Sequence, residues 1–261
     1  MWRNNKVVVI FPTYNEKDSL YRAIEDFLAC EYVDEVIVVN NNATPGTDDE
    51  VKKTRAVLVH ESVQGYGSAI QCGFREALKL GADLIILSEP DGTFSGHDCL
   101  KLLAYSDDFP VVYGSRTSET LIWKGANMGF FLKWGNFVVA KMMEFLFNTS
   151  ELSDVGCTMR LIHRSALEKI LNRFTIAGSH FGPEMMLLII LHGIPFVEIP
   201  VNYLERVGVS SVTGSFRKAL INGIRMILLI LKVRIKTLFF RPDDGESEWD
   251  YPKHGISYDR K

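Results

Sequence analysis

The chain has 261 residues, of which 47% are hydrophobic and 23% are charged, and its formal net charge is -3 at pH 7. This length can bury a full hydrophobic core and lies near the upper size of a single domain, while the slightly negative charge argues against nucleic acid as the main partner. The four cysteines are widely spaced, which indicates reduced thiols of a cytosolic protein and neither a disulfide framework nor a zinc site. Residues 1–6 contain no apolar signal segment, so we expect no secretion signal.

The first part of the chain alternates apolar strand patterns with helix patterns. The strand-like runs span 7–11, 35–39, 56–60 and 84–88, and an amphipathic helix pattern spans 19–30. Strands that alternate with helices imply right-handed crossovers and a mainly parallel sheet. We therefore predict an α/β fold whose ligand edge collects the loops at 12–16, 40–42, 64–68 and 89–91.

Two carboxylates follow the fourth strand-like run. Glu89 and Asp91 are separated only by Pro90, which stiffens the turn. Such a pair can hold Mg²⁺ or Mn²⁺, and the ion would bridge diphosphate oxygens. The alternative for these residues alone is an acidic turn that caps a helix beginning near Ser95.

Gly65 and Gly67 stand before a helix pattern. A Gly-x-Gly loop there can belong to a dinucleotide fingerprint, but that fingerprint follows the first strand of its fold. Here the glycines follow the third strand, so a nicotinamide enzyme is disfavoured. We predict that they shape the start of a helix beside a donor pocket.

Six short motifs together carry a family resemblance. In chain order they are residues 11–16 (FPTYNE), 65–69 (GYGSA) with Gly73, 89–91 (EPD), 114–116 (GSR), 154–160 (DVGCTMR) and 198–203 (EIPVNY) with Arg206 and Gly208. This set resembles family 2 glycosyltransferases of the GT-A fold, most closely the dolichol-phosphate or polyprenyl-phosphate sugar transferases. The likeness covers roughly positions 6 to 212.

The resemblance implies a GT-A fold, which is Rossmann-like with a mainly parallel sheet flanked by helices, and it implies a set of site residues. The metal-binding candidates are Glu89 and Asp91. The donor-binding candidates are Pro12, Tyr14, Glu16, Asn40, Asn41, Gly65, Gly67 and Glu89. The catalytic candidates are Asp91, Asp154, Arg116 and Arg206. The candidates for the acceptor phosphate, chosen because the site must supply cations, are Arg116, Lys133, Arg160 and Arg206.

The sequence departs from the family pattern at three places. Asn40 and Asn41 stand where an Asp pair is usual, so a charge near the nucleobase or ribose is missing. Glu89 replaces the first Asp of the usual Asp-x-Asp. Ser211 stands where a lysine often follows in Gly-x-Ser-Lys, which removes a cation near the acceptor.

Two segments suggest a lipid environment. Residues 216–241 carry seven basic and no acidic side chains, and their longest uncharged run, 226–231, is far too short to cross a bilayer. We predict a basic amphipathic helix on a membrane surface; the alternatives are a closing helix on the sheet or a subunit interface. Residues 127–148 form an aromatic stripe, which is either core or the entry of a polyprenyl tail near Trp134.

The leading hypothesis is a metal-dependent inverting transferase that moves a sugar from a nucleoside diphosphate to a polyprenyl phosphate, dolichyl or undecaprenyl. It would act peripherally on the cytoplasmic face of the membrane, alone or as an oligomer. One alternative is attack by a glycan hydroxyl, with Asp154 or Glu184 as base. Another is a weakly active or non-catalytic nucleotide-binding relative. The predicted organisation is a catalytic domain at 1–212, the basic helix at 213–241 and a polar, disordered tail at 242–261.

Overall fold

A computed structural model describes residues 1–126, 129–210 and 214–239. Its seven strands are β1 (Val7–Thr13), β2 (Glu35–Asn40), β3 (Val57–His60), β4 (Leu84–Leu87), β5 (Val111–Ser115), β6 (Arg160–His163) and β7 (Phe196–Pro200). Its α-helices are α1 (Lys17–Leu28), α2 (Thr47–Val51), α3 (Tyr66–Lys79), α4 (Cys99–Ser106), α5 (Phe130–Phe147), α6 (Arg164–Ile170), α7 (Phe181–Leu191) and α8 (Phe216–Phe239). Short 3-10 helices lie at Gly96–Asp98, Glu119–Leu121 and Leu171–Arg173.

One sheet of seven strands organises the chain, in the order β3-β2-β1-β4-β6-β5-β7. All neighbouring strands are parallel except β6, which runs antiparallel to both β4 and β5. The predicted α/β fold with a mainly parallel sheet is confirmed. The sequence analysis identified the first four strands and assigned none after β4.

Helices cover both faces of the sheet, and alternation along β1 shows why. Val7, Val9 and Phe11 pack on one face with α1 and α4, whereas Val8 and Ile10 pack on the other face with α3, α5, α6 and α7. Successive side chains of a strand point to opposite faces, so an unbroken apolar strand requires cover on both sides.

The last helix, α8, lies against α5 and α7 and buries Met226 and Ile230. It falls within the predicted basic segment at 216–241. In the described part of the chain, no helix is both long enough and apolar enough to span a bilayer. The predicted boundary between 212 and 213 and the predicted tail at 242–261 lie outside the described residues.

Candidate active site

The carboxyl ends of β1, β2 and β4 open into a cleft of about 730 Å³. The predicted site residues that line it are Pro12, Tyr14, Glu16, Asn41, Gly65, Glu89, Arg116 and Arg206. These residues come from six separate loops of the chain, and the parallel strands bring them to one edge of the sheet. Asp91 lies directly beside the cleft, in contact with Arg206.

The acidic loop after β4 holds Asp91 in a fixed orientation. Its side chain is 0% exposed, and its Oδ1 accepts hydrogen bonds from the backbone N and the Oγ1 of Thr93, at 2.9 and 2.5 Å. Ser19 Oγ of α1 donates to the carbonyl of Pro90 at 2.6 Å, which fastens the loop to the first helix. Burial, and after it the negative charge of Asp91, raises the pKa of Glu89 to about 8. The pKa stays raised although the guanidinium of Arg206 lies nearby and lowers it, so both carboxylates would be charged at neutral pH only with a further cation.

Arg206 supplies a cation to this loop. Its guanidinium contacts Asp91, lies 3.0 Å from Glu16 Oε1 and lies 3.6 Å from Glu89 Oε2. The backbone N of Val207 donates to the carbonyl of Asp91 at 2.8 Å, so the segment that carries Arg206 is joined to the acidic loop. Sequence analysis assigned Arg206 to an acceptor phosphate; the structure places it against the predicted metal ligands.

Glu16 is held by its own loop as well as by Arg206. Its Oε2 accepts hydrogen bonds from the backbone N of Tyr14 and of Asn15, both at 2.8 Å. The carboxylate therefore shapes the loop after β1 and turns its second oxygen toward Arg206.

Asp154 and Arg116 form a two-pronged ion pair. Arg116 Nε and Nη2 donate to the two oxygens of Asp154 at 2.8 and 2.9 Å, and the Arg116 backbone N donates to Oδ2 at 3.0 Å. The guanidinium also lies over the ring of Tyr203, 5.1 Å from its centre. Burial alone would raise the pKa of Asp154, but the charge and hydrogen bonds of Arg116 lower it by more, so the pKa lies below its usual value. Asp154 is thus an ionised partner that orients Arg116 beside the cleft.

The other two predicted phosphate ligands point elsewhere. Arg160 is buried, and its guanidinium donates to the backbone carbonyls of Cys157, Gly182 and Val155 at 2.9, 2.9 and 3.1 Å. Lys133 Nζ lies 2.9 Å from Glu119 Oε1. Neither residue lines the cleft. The hydrogen bonds of Arg160 join separate backbone segments, which indicates a structural role.

The two asparagines at the end of β2, Asn40 and Asn41, hydrogen-bond to other parts of the protein. Asn40 donates to Asp48 Oδ1 at 2.6 Å and accepts from the Ala43 backbone N at 2.8 Å. Asn41 donates to the carbonyls of residues 61 and 63 and accepts from the Gly65 backbone N at 2.7 Å. Asn41 still borders the cleft, whereas the side chain of Asn40 holds the turn after β2.

Gly65 and Gly67 are required by a close backbone approach. Gly65 has a φ of +148°, and a Cβ there would lie 2.2 Å from the Ala177 carbonyl oxygen. A Cβ at Gly67 would lie 2.2 Å from the Ile176 oxygen. The Gly67 backbone N donates to the Ala177 carbonyl at 2.8 Å, so the start of α3 is packed against this segment.

Glu184 supports the same segment from α7. Its carboxylate accepts from the backbone N of Thr175 at 2.9 Å, from Thr175 Oγ1 at 2.6 Å and from the backbone N of Ile176 at 3.0 Å. These contacts fix the segment against which the glycines pack. They do not place the carboxylate of Glu184 in the cleft.

Sequence analysis missed Asn136, an amide within the aromatic stripe. It lies on α5 and lines the cleft. A Cβ added to Gly156 would lie 2.5 Å from Asn136 Oδ1 and 2.9 Å from Arg116 Nη2, so these three residues meet. The only signal in the sequence was an amide in the middle of a mostly apolar stretch.

Beyond Arg116 the cleft becomes apolar and continues between α5 and α8. Its apolar lining comprises Phe131, Leu132, Trp134, Val138 and Val139 from α5, and Leu220, Ile224, Met226 and Ile227 from α8. The aromatic stripe of α5 is therefore part core and part cleft, because Val139, Ala140 and Met143 are buried in the core. One continuous cavity thus has an acidic and basic end at the sheet and an apolar end between two helices.

Comparison with known proteins identifies the family to which the chain belongs. Residues 8–171 match the model of glycosyl transferase family 2. An undecaprenyl-phosphate mannosyltransferase of Micrococcus luteus is 26% identical over 220 residues, which is 80% of this chain and 88% of that protein. A polyprenol monophosphomannose synthase of Mycolicibacterium smegmatis is 28% identical over 228 residues, which is 80% of this chain and 82% of that protein.

The fold recurs in solved structures. Glucosyl-3-phosphoglycerate synthase from Mycobacterium tuberculosis, in complex with Mn²⁺, UDP and phosphoglyceric acid, superposes with a TM-score of 0.69 at 12% identity. The match covers 88% of this chain and 78% of that one, and it confirms the predicted GT-A fold. The chain belongs to glycosyl transferase family 2 and is a glycosyltransferase related to the polyprenyl-phosphate sugar transferases.

Proposed function

We propose that the protein transfers a sugar from a nucleoside diphosphate to a polyprenyl phosphate at a membrane surface. The observation that carries this proposal is the continuous cleft, which has carboxylates and arginines at the strand ends and an apolar groove between α5 and α8. A polyprenyl phosphate has the same two parts, a charged head and a long apolar tail. A soluble sugar acceptor has no apolar tail that would bind in the apolar groove between α5 and α8.

The donor site would lie along Pro12, Tyr14, Asn41 and Gly65. Glu89 and Asp91 fit a divalent metal, because carboxylate oxygens are the ligands that Mg²⁺ and Mn²⁺ prefer and the ion usually completes its coordination with substrate phosphates and water. No group of three or more His, Cys, Asp or Glu that could hold a metal occurs in the described ranges, so such an ion would depend on the donor's diphosphate. When bound, the metal would neutralise the departing nucleoside diphosphate.

The acceptor would be a nucleophile without help from a base. A phosphate monoester has a second pKa of about 6, so it is largely dianionic at neutral pH. Its oxygen would form a bond to the anomeric carbon as the bond from that carbon to the diphosphate breaks, and a single displacement of this kind inverts the configuration. Arg116, beside the groove, would bring the two phosphates together because its planar guanidinium binds phosphate oxygens in pairs.

Transfer to a glycan hydroxyl is less well supported. That reaction needs a base, and the two candidates in the sequence were Asp154 and Glu184. Asp154 is paired with Arg116, and Glu184 accepts hydrogen bonds from the 175–176 backbone. A non-catalytic relative is disfavoured because Asp91 is held rigidly beside the cleft by Thr93.

The test uses purified protein with Mn²⁺ or Mg²⁺, undecaprenyl or dolichyl phosphate, and a panel of radiolabelled nucleotide sugars. We expect label from one donor to enter the organic phase, which would also name the sugar. Label that appears only on a water-soluble or lipid-linked glycan would favour the hydroxyl acceptor. Nucleotide binding by calorimetry without any transfer would contradict the proposal and favour the non-catalytic reading.

Membrane attachment is the second part of the proposal. The outer face of α8 exposes large apolar residues, including Leu228 at 60% and Ile235 at 58%, among basic residues such as Lys232 and Lys236. The Phe131 ring of α5 lies 4.6 Å from the Phe216 ring of α8, so the exposed residues of the two helices adjoin. A basic helix with a bulky apolar face suits the headgroup region of an anionic membrane, such as the inner face of the cytoplasmic membrane.

Replacing Leu228 and Ile235 together by Glu should abolish sedimentation with phosphatidylglycerol vesicles. The substitutions remove apolar area and add two negative charges to a face that we expect to contact anionic lipid. The matched control replaces Leu100 and Tyr105 of α4, which are also exposed, at 42% and 47%, by Glu. Equal loss in both variants, or retention in the α8 variant, would rule out α8 as the attachment site.

A further inference from the structure

Glu198 of β7 lies behind the loop that carries Asp154. The Ser153 backbone N donates to both oxygens of the Glu198 carboxylate, at 3.0 and 2.9 Å, and the Asp154 backbone N lies 3.3 Å from Oε2. The hydroxyl of Ser153 contacts Oε1 as well. One carboxylate therefore receives two consecutive backbone N–H groups and a side-chain hydroxyl.

The same loop determines where Arg116 lies. Both oxygens of Asp154 are engaged, since Oδ2 accepts from the backbone N and Nε of Arg116 and Oδ1 accepts from its Nη2 and from the Gly156 backbone N at 3.0 Å. A shift of the backbone at 153–154 would move the Asp154 carboxylate and, with it, the guanidinium. The contacts form one path from Glu198 through Asp154 to a residue that lines the cleft.

A second carboxylate beside Asp154 has a free energy cost. Burial raises the pKa of Glu198, and the charge of Asp154 acts in the same direction, although the hydrogen bonds from Ser153 oppose both. Packing alone would be served by an apolar side chain, which carries no such cost. The carboxylate does what an apolar residue cannot, because it accepts several hydrogen bonds from one stretch of backbone.

We infer that Glu198 is a positioning residue that holds the 153–154 backbone so that Asp154 presents Arg116 to the acceptor phosphate. The inference rests on the proposed acceptor for its functional consequence, whereas the positioning itself is a property of the loop. Glu198→Gln tests it with little change in volume. The amide has only one oxygen to accept with, and its NH₂ would face the donors of Ser153.

The first measurement is the affinity for farnesyl phosphate, a short polyprenyl phosphate, by calorimetry. We expect Glu198→Gln to weaken binding by about tenfold, a change of about 1.4 kcal/mol, and to leave binding of the nucleotide-sugar donor unchanged. In an Arg116→Lys background the further loss should be small, because both substitutions act on one path. Equal losses in the two backgrounds, or equal weakening of donor and acceptor, would overturn the inference.

The second measurement is hydrogen exchange, which does not depend on the acceptor. The Arg116 amide donates to Asp154 and should exchange faster in Glu198→Gln. The control is Glu35→Gln, a partly buried carboxylate at the opposite end of the sheet that pairs with Lys6, and it should leave that amide unchanged. Unchanged exchange in Glu198→Gln would overturn the positioning role. Faster exchange in a protein that binds no farnesyl phosphate would support the positioning and overturn only the proposed acceptor.

Discussion

Replacing Asp91 by Asn is expected to lower sugar transfer by about 1000-fold, which corresponds to about 4 kcal/mol of lost transition-state stabilisation. Asn keeps the size of the side chain and an oxygen for the Thr93 hydrogen bonds, so the fold of the loop should survive. What it removes is the negative charge next to Glu89, and with that charge a ligand suited to a hard divalent cation. The rate with each nucleotide sugar, measured over a range of Mn²⁺ concentrations, checks this.

The matched control for Asp91→Asn is Asp83→Asn. Asp83 precedes the same strand, β4, at the opposite end of the sheet, where its Oδ2 accepts from the Lys6 backbone N at 2.8 Å. This variant should lose some stability and keep its specific activity. If Asp91→Asn retained more than about a tenth of the wild-type rate, the assignment of Asp91 to the metal would be wrong.

The parts of the fold that sequence analysis predicted are those whose cause is local. Unbroken apolar runs such as Val7–Thr13 reveal buried strands, because both faces of the strand need cover. β6 was not predicted, since it has only four residues, Arg160–His163, and two of them are polar. Its place between β4 and β5 depends on long-range pairing that no short pattern encodes.

The residues of the candidate site also fall into those that the sequence predicted and those that only the structure places. Glu89 and Asp91 follow a strand-like run, and that position was enough to place them near the cleft. Arg116 was proposed from the family resemblance, and it lines the cleft after β5, a strand that the sequence analysis did not assign. Arg160 looked equivalent to Arg116 by type and motif, yet its guanidinium turns inward to three backbone carbonyls. Residue type predicts which chemistry a side chain can perform, and only packing decides where it points.

Gly65 and Gly67 show a further limit of prediction from the sequence. Gly65 and Gly67 were read as glycines that shape a helix start, and they do occupy that place. Their necessity comes from residues more than 100 positions away, because the carbonyls of Ile176 and Ala177 leave no room for a Cβ. The local motif was visible in the sequence, but the partner that requires it was not.

Arg206→Gln is expected to have opposite effects on metal binding and on catalysis. In the structure the Arg206 guanidinium is the counter-ion of Glu16 and Asp91 and also lies 3.6 Å from Glu89 Oε2. Any divalent ion that binds these carboxylates must compete with it. Without the guanidinium, Mn²⁺ should bind about tenfold more tightly in the absence of nucleotide. The corresponding free energy, about 1.4 kcal/mol, is smaller than the attraction of about 4 kcal/mol between two unit charges about 4 Å apart near a protein surface. Titration of Mn²⁺ followed by electron paramagnetic resonance measures this directly.

The transfer rate of Arg206→Gln should nevertheless fall by about 100-fold, because the variant loses a cation that can bind phosphate oxygens once a metal has taken its place at the carboxylates. The control is Arg22→Gln on the exposed face of α1, which changes the net charge equally and does not line the cleft. Tighter metal binding together with slower transfer would mean that Arg206 is both the resting counter-ion of the acids and a ligand for substrate. Mn²⁺ affinity that is unchanged or weaker would mean that the guanidinium does not compete for these carboxylates, and that its contact with Asp91 belongs to the working site.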